Sequence, residues 1–420
     1  MDKRFANLFG LTEEESIALL DTPEDKLAED DSRYVAAAQL ASFATEQSID
    51  ALIRAIHNND PSLNNRITRR KSVESLGKLQ VNRALPAIRT CLADDDCYTV
   101  ENAVWAIGEI GTEDLDILEE IAKLLEKPGQ SYRVIIHTLR KFDYKPGLER
   151  IRKFLDDDDA PIASAANAAV YQFTGDDTYI EKVMGFLQDS NVYGRRLSIQ
   201  DLVDVKYYKA IDRISQCPVS VVFRLRGIRL LGEAGIPVGA IAFSDIQPSL
   251  EAVIYDRPKT LKLVHEYDQI PTLEFAIKEL YEVDFGRCYL ATKTILESYA
   301  DTAGQALMAT YAAEACNDYG ANYHVIKALG WIKYAPAYDL FIEALHNTQP
   351  QFQKSRAAAA IALGELGDNR AIGDLKVSLE TKIWDLKYAA LLSLARFGDN
   401  SGRDIAAKDT DWLIQAKANS

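Results

Sequence analysis

Asp318 and Tyr319 stand side by side in the run Cys316-Asn317-Asp318-Tyr319-Gly320, and Tyr323, His324 and Lys327 follow at helical spacing. A carboxylate beside a phenol provides the two groups needed to take a proton from a conjugated substrate and return another. If a helix continues through Gly320, Tyr323 lies one turn beyond Tyr319. The same residues also read as a capped helix end. Cys316 reads as a buried structural thiol or, with Lys327 nearby, as a nucleophile.

A second set of chemically capable residues is spread through the N-terminal half. With Leu76, Ile107, Leu139, Phe173, Leu202 and Leu231 as equivalent anchors, the position two before the anchor holds Glu74, Trp105, His137, Tyr171, Gln200 and Arg229. One turn earlier on the same ridge stand Arg70, Glu101, Arg133, Asn167, Arg196 and Leu225. Arg70, Arg133 and Arg196 would fork onto carboxylates, while Trp105 and Tyr171 would stack on flat rings. Glu101 and His137 are the next acid–base candidates after Asp318 and Tyr319. The competing reading of this ladder is a solvated helix face.

The elements that position these groups are helical hairpins. The segments Glu74-Ser75-Leu76-Gly77, Ala103 to Gly111, Leu230-Leu231-Gly232-Glu233, Ala328-Leu329-Gly330 and Ala362 to Gly367 repeat one signature, and Gly330, Gly364 and Gly398 recur at steps of 34 residues. Such a hairpin is too small to bury its own apolar face, so copies must stack. The expectation is an all-α, HEAT-like or armadillo-type solenoid whose second helices line a concave binding face. Its boundaries read as an N-terminal helical arm over 1–30, HEAT-like repeats over 31–235, an irregular hinge over 236–275 carrying Pro237, Pro248, Pro258 and Pro271, and further HEAT-like repeats over 276–420. Thr12 with Glu15 spells a capping box. Asp156 to Asp159, ahead of Pro161, reads as a helix N-terminus rather than a metal site.

The net charge of −15 argues against nucleic acid or an anionic membrane as main partner. No stretch approaches the roughly 18 apolar residues of a membrane helix. The start, Met1 to Phe5, runs toward Glu13-Glu14-Glu15 rather than into an apolar leader. Five cysteines without a CxxC pair indicate neither a disulfide framework nor a zinc cage, and a reducing, cytoplasmic setting is expected. No nucleotide-binding or nucleophile-elbow motif occurs, and His265-Glu266 is the sole His-Glu pair, short of what a di-iron HEAT-repeat hydroxylase requires.

Arg69 to Leu79, Glu101 to Gly111 and the non-repeat segment Asp284-Phe285-Gly286-Arg287-Cys288-Tyr289-Leu290-Ala291 together resemble the E/F clan of phycobiliprotein bilin lyases, in particular its long phycoerythrin-type lyases and lyase-isomerases. The resemblance covers nearly the whole chain; its repeat motifs are shared by many HEAT-like proteins, and the Asp284–Ala291 segment is the more specific part. It implies a protein that receives a linear tetrapyrrole as substrate, with no other cofactor and no metal. Phycoerythrobilin would be joined by a thioether to a cysteine of a phycoerythrin α or β subunit, and in some members isomerised to phycourobilin. On this resemblance, Arg70, Trp105, Arg133, Tyr171, Arg196 and Tyr323 would hold the bilin. Asp318, Tyr319, Glu101 and His137 would move protons. The rival expectation is a non-catalytic HEAT-repeat scaffold or chaperone.

Overall fold

A computed structural model describes residues 10–420 apart from Asp30 and Asn59; the polar start Met1 to Phe5 lies outside the described residues. Among the described residues there are helices and no strands. The all-α, HEAT-type fold of stacked hairpins is therefore the observed one. The chain divides into two compact units, residues 1–180 and 181–420.

In the first unit the capping box forms as the sequence spells it: Thr12 accepts from the Glu15 backbone, and Glu15 accepts from the Thr12 backbone at 2.8 Å. Four long second helices then stack on one another: α1 (Leu63–Lys78), α2 (Cys97–Ile110), α3 (Tyr132–Lys141) and α4 (Ala160–Thr174). Asp159, the last of the four consecutive aspartates, occupies the N-cap of α4. The apolar stripe, including Val73, Leu76, Val104, Ile107, Ile136, Leu139 and Val170, is fully buried between the layers.

The second unit contains α5 (Val192–Asp204), α6 (Val221–Gly235), α7 (Phe243–Tyr255), α8 (Phe285–Ser298), α9 (Tyr319–Trp331), α10 (Gln353–Leu366), α11 (Trp384–Arg396) and α12 (Trp412–Asn419). The stretch 236–275 contains α7, with Pro248 inside it, followed by a short turn at Pro258–Thr260 and then by non-helical chain up to Leu273. Helices α9, α10 and α11 stack in sequence, and α7 packs against both α10 and α11. The C-terminal tail is an ordered strut. Arg229 of α6 donates to Asp411 at 2.8 Å, Trp412 donates to Glu233 at 3.2 Å, and Lys417 reaches Glu251 of α7 at 2.8 Å.

The glycine of the repeated signature has a packing cause. A Cβ on Gly77 would lie 2.8 Å from the Ala106 Cβ of the next repeat; one on Gly330 would lie 2.5 Å from Ala362, and one on Gly364 would lie 2.5 Å from Ser393. Successive second helices thus touch through bare backbone. Substitution there is overpacking, which ordinarily costs about 1–3 kcal/mol. Gly330→Ala should accordingly lower stability by about 1–3 kcal/mol in urea denaturation. Gly373→Ala, whose Cβ meets nothing within 4 Å, should be neutral or stabilising. Equal effects of the two would refute the close-contact account.

Candidate functional site

The chemistry-bearing residues of the second unit gather around a buried ion pair. Arg224 of α6 and Asp256, the left-handed C-cap of α7, are both fully buried. Arg224 Nη2 donates to Asp256 Oδ1 at 2.5 Å and to Tyr289 Oη of α8 at 2.7 Å. The Tyr289 hydroxyl in turn donates to Asp256 Oδ2 at 2.9 Å, and the Tyr323 hydroxyl of α9 donates to the same oxygen. Burial beside this carboxylate pushes both phenols well above their ordinary pKa, so they act as donors only. Lys327 covers the end of α7, donating to the Ile254 and Tyr255 carbonyls at 3.1 and 2.9 Å. Its amine is lowered to about 8, chiefly by burial.

Above this network an open groove of about 410 Å³ is lined by Val222, Leu225, Arg226 and Arg229 of α6, by Tyr319 and Lys354, and by Trp384 and Asp385 of α11. Trp384 lies under the Arg229 guanidinium, 5.0 Å from its ring centre. Asp385 is partly buried, and desolvation raises its carboxyl pKa. Lys354, in the first turn of α10, is 4% exposed. Its Nζ sits 3.3 Å from the centre of the Tyr319 ring and 4.3 Å from that of Phe285, a cation–π seat. Burial lowers this amine to about 7, opposed by the negative charges of Asp318 and Asp256. Beneath the same rings, His324 is fully buried against Phe285, Tyr289 and Tyr323, and desolvation holds it neutral.

The residues expected to do chemistry are distributed unevenly. Tyr319 is 48% exposed and lines the groove. Its neighbour Asp318 is the N-cap of α9: one carboxylate oxygen takes the Gly320 and Ala321 backbone donors at 2.8 and 2.7 Å. This is the capped helix end that the sequence also allowed, and a π-helical turn over Tyr311–Ala315 shortly precedes it. Tyr323 does lie on the helix one turn beyond Tyr319, but it is 1% exposed and its hydroxyl is committed to Asp256. Cys316 is partly buried.

The ladder residues of the first unit form links between successive repeats. Arg70 makes a two-pronged bond of 2.7 and 2.6 Å to Asp96, the N-cap of α2. Glu101 accepts from Ser131, the N-cap of α3, at 2.7 Å, and Arg133 donates to the Pro161 carbonyl in the first turn of α4 at 2.5 Å. These three residues therefore reach the start of the next second helix, where unpaired backbone groups and their caps concentrate, whereas Asn167 bonds the Leu155 and Ala163 carbonyls of its own hairpin. Trp105 is partly buried against the bare backbone of Gly77, and His137 and Tyr171 are partly exposed. In the second unit, Arg196 of α5 packs over the Phe223 ring at 5.1 Å and donates to the Val283 carbonyl at 3.3 Å. The ladder does reach the groove at its last copy, through Leu225 and Arg229.

Lys354, Asp385, Arg224 and Asp256 were missed by sequence reasoning. Lys354 opens an Ala-rich helix as an ordinary solvated lysine would, and no local pattern announces its burial. The lone His-Glu pair has a structural role. His265 meets Asp284 at 2.8 Å, and Asp284 is both the N-cap of α8 and the partner of buried Arg195.

Comparison with known proteins agrees with this architecture. The HEAT repeat pattern matches residues 24–96 and 62–128, and the PBS lyase HEAT-like repeat matches residues 355–381. The phycocyanin operon protein Y of Pseudanabaena tenuis is 60% identical over all 420 residues, covering both chains completely. The bilin biosynthesis protein CpeY of Synechococcus sp. WH8020 is 31% identical over 411 residues, covering 92% of this chain and 96% of its own. The complex of CpcE and CpcF of phycocyanin lyase from Nostoc sp. PCC7120 aligns over 58% of this chain and 94% of the matched chain, with a TM-score of 0.49 and 24% identity. A HEAT-repeat protein with such full-length kinship is a member of a defined class: the chain belongs to the HEAT-repeat bilin lyase family. Among the described residues no helix is long and apolar enough to cross a membrane.

The low pKa of Lys354 makes stability depend on pH. In the unfolded chain the amine holds its proton to about pH 10.5, whereas in the folded chain it releases it near 7. Between those values the unfolded state binds more protons, so folding gains from rising pH. The urea-unfolding free energy of the wild type relative to Lys354→Met should therefore increase from pH 7 to 9, with a limiting slope of about 1.4 kcal/mol per pH unit. Lys327 is present in both proteins and cancels. A flat difference would show that Lys354 keeps its ordinary pKa.

Proposed function

We propose that this protein attaches a phycobilin to a phycobiliprotein subunit, and specifically that it joins phycoerythrobilin through a thioether to a cysteine of a phycoerythrin α or β subunit. The observation that carries this reading is the full-length kinship with the bilin biosynthesis protein CpeY. The groove on α6 and α11 supports it. An apolar wall of Val222, Leu225 and Trp384 lies beside Arg226, Arg229 and Lys354, which suits a flat conjugated body carrying carboxylates.

In the attachment step the acceptor thiol adds across the ethylidene double bond of the first pyrrole ring. The C–S bond forms, the π bond breaks, and the thiol's proton ends on the adjacent ring carbon. Holding bilin and thiol together makes that encounter effectively unimolecular. In this proposal the same groove also isomerises the bilin to phycourobilin. Moving a double bond requires one proton delivered and another removed, and in this reading Tyr319, half-exposed in the groove, relays it. Asp318 then acts through the turn it caps, positioning Tyr319. Glu101, His137, Arg70, Arg133 and Trp105 belong in this reading to the frame of the first unit.

Co-production with phycoerythrobilin and single phycoerythrin subunits tests the assignment, read as the absorption of the denatured acceptor. The expected product is a covalent, blue-shifted, phycourobilin-like chromophore, with Tyr319→Phe retaining attachment and yielding the phycoerythrobilin spectrum instead. An unshifted chromophore from the wild type would reduce the function to ligation. No covalent pigment on any subunit would favour the non-catalytic scaffold.

A further inference from the structure

Three cations line the groove, and two of them are already engaged. Arg229 donates to Glu233 and Asp411, each at 2.8 Å, and Arg226 donates to the Gln200 side chain. Lys354 differs. Among the described residues its Nζ has no hydrogen-bond acceptor, although the side chain is 96% buried and opens onto the groove. A buried ammonium is costly to hold without a counter-charge, and the ring faces of Tyr319 and Phe285 offset only part of that cost. Asp385 lines the same groove, and its carboxyl meets the Leu386 backbone at 3.1 Å. The groove, lined by Tyr319 and Lys354, is the side from which an anion can reach this amine.

Resting on the reading of this groove as the bilin site, we infer that Lys354 is the docking point for a carboxylate of the incoming ligand, a propionate of the linear tetrapyrrole, which it pairs with beneath the Tyr319 ring. The apolar wall of Val222, Leu225 and Trp384 takes the conjugated body, and the carboxylate supplies the contacting acceptor that Nζ lacks among the described residues. Lys354 on this account is a positioning residue: it fixes the register of the tetrapyrrole along the groove and takes no part in bond making. Because Nζ has no hydrogen-bond partner among the described residues, removing its charge leaves none of them orphaned. A methionine of similar length should fold without loss.

The test compares phycoerythrobilin with its dimethyl ester, each titrated by visible absorbance into the purified full-length chain at pH 7. The wild type should bind the free acid about tenfold or more tightly than the ester, the ordinary effect of one charge-assisted contact. Lys354→Met should lose that preference while binding the ester as the wild type does, so retained ester binding also reports a folded groove. A preference for the free acid that survives in Lys354→Met would overturn the docking assignment alone and shift it to Arg226 or Arg229. Equal affinity of the wild type for acid and ester would overturn it whatever the variant does. Failure of the wild type to bind either pigment would instead overturn the bilin reading of the groove, and this inference with it.

Discussion

The Arg224–Asp256 pair is the interaction on which the second unit depends. It joins α6 to the C-cap of α7, and through Tyr289 and Tyr323 it also ties in α8 and α9. Two charges removed from water are stabilising only when their remaining donors and acceptors are met. Here Arg224 also bonds the Val219 and Ser215 carbonyls, and Asp256 accepts from two phenols. The cluster is nearly saturated. Its removal by halves would leave an unpaired charge in the core, which is why its geometry sets the spacing of the helices above it.

The groove inherits its properties from that foundation. Tyr323 and Tyr289 present their rings upward because their hydroxyls are held from below. Those rings, with Phe285, confine neutral His324. Lys354 then rests on an aromatic floor, and its burial there lowers the amine to about 7. A nearly saturated ion-pair cluster thus supports a groove whose buried lysine lacks a hydrogen-bond acceptor among the described residues, as expected where a site is shaped for something that binds.

In the first unit the same kinds of residue serve a different end. Arg70, Glu101 and Arg133 each link one second helix to the N-terminal turn of the next. Their recurrence at one ridge position is legible in the alignment of the repeats, and each of the three bonds to the neighbouring repeat. The stacking distance makes those bonds possible. With Gly77 touching Ala106, consecutive helices lie so close that an arginine on the ridge reaches the neighbouring cap. The same ridge positions on α9, two and six residues before Leu329, are Lys327 and Tyr323, and both are buried. At α6 the ridge residues Leu225 and Arg229 line the groove.

The sequence by itself determined the helical period, the hairpin repeat, the glycine at each close contact, the capping box at Thr12 and the family resemblance. All of these are local or periodic, and a one-dimensional stack transmits local pattern directly into architecture. It also singled out Tyr319, because a phenol beside a carboxylate is a local pattern. Only the tertiary structure decided that Tyr323 is core, that Asp318 is spent on capping, and that Lys354 and Asp385 share a groove with Arg229. Arg224 near the start of α6 and Asp256 at the end of α7 are likewise brought together by the packing of those two helices. Burial, pairing and the pKa values that follow depend on neighbours far apart in the chain, and periodicity along the chain carries no record of them.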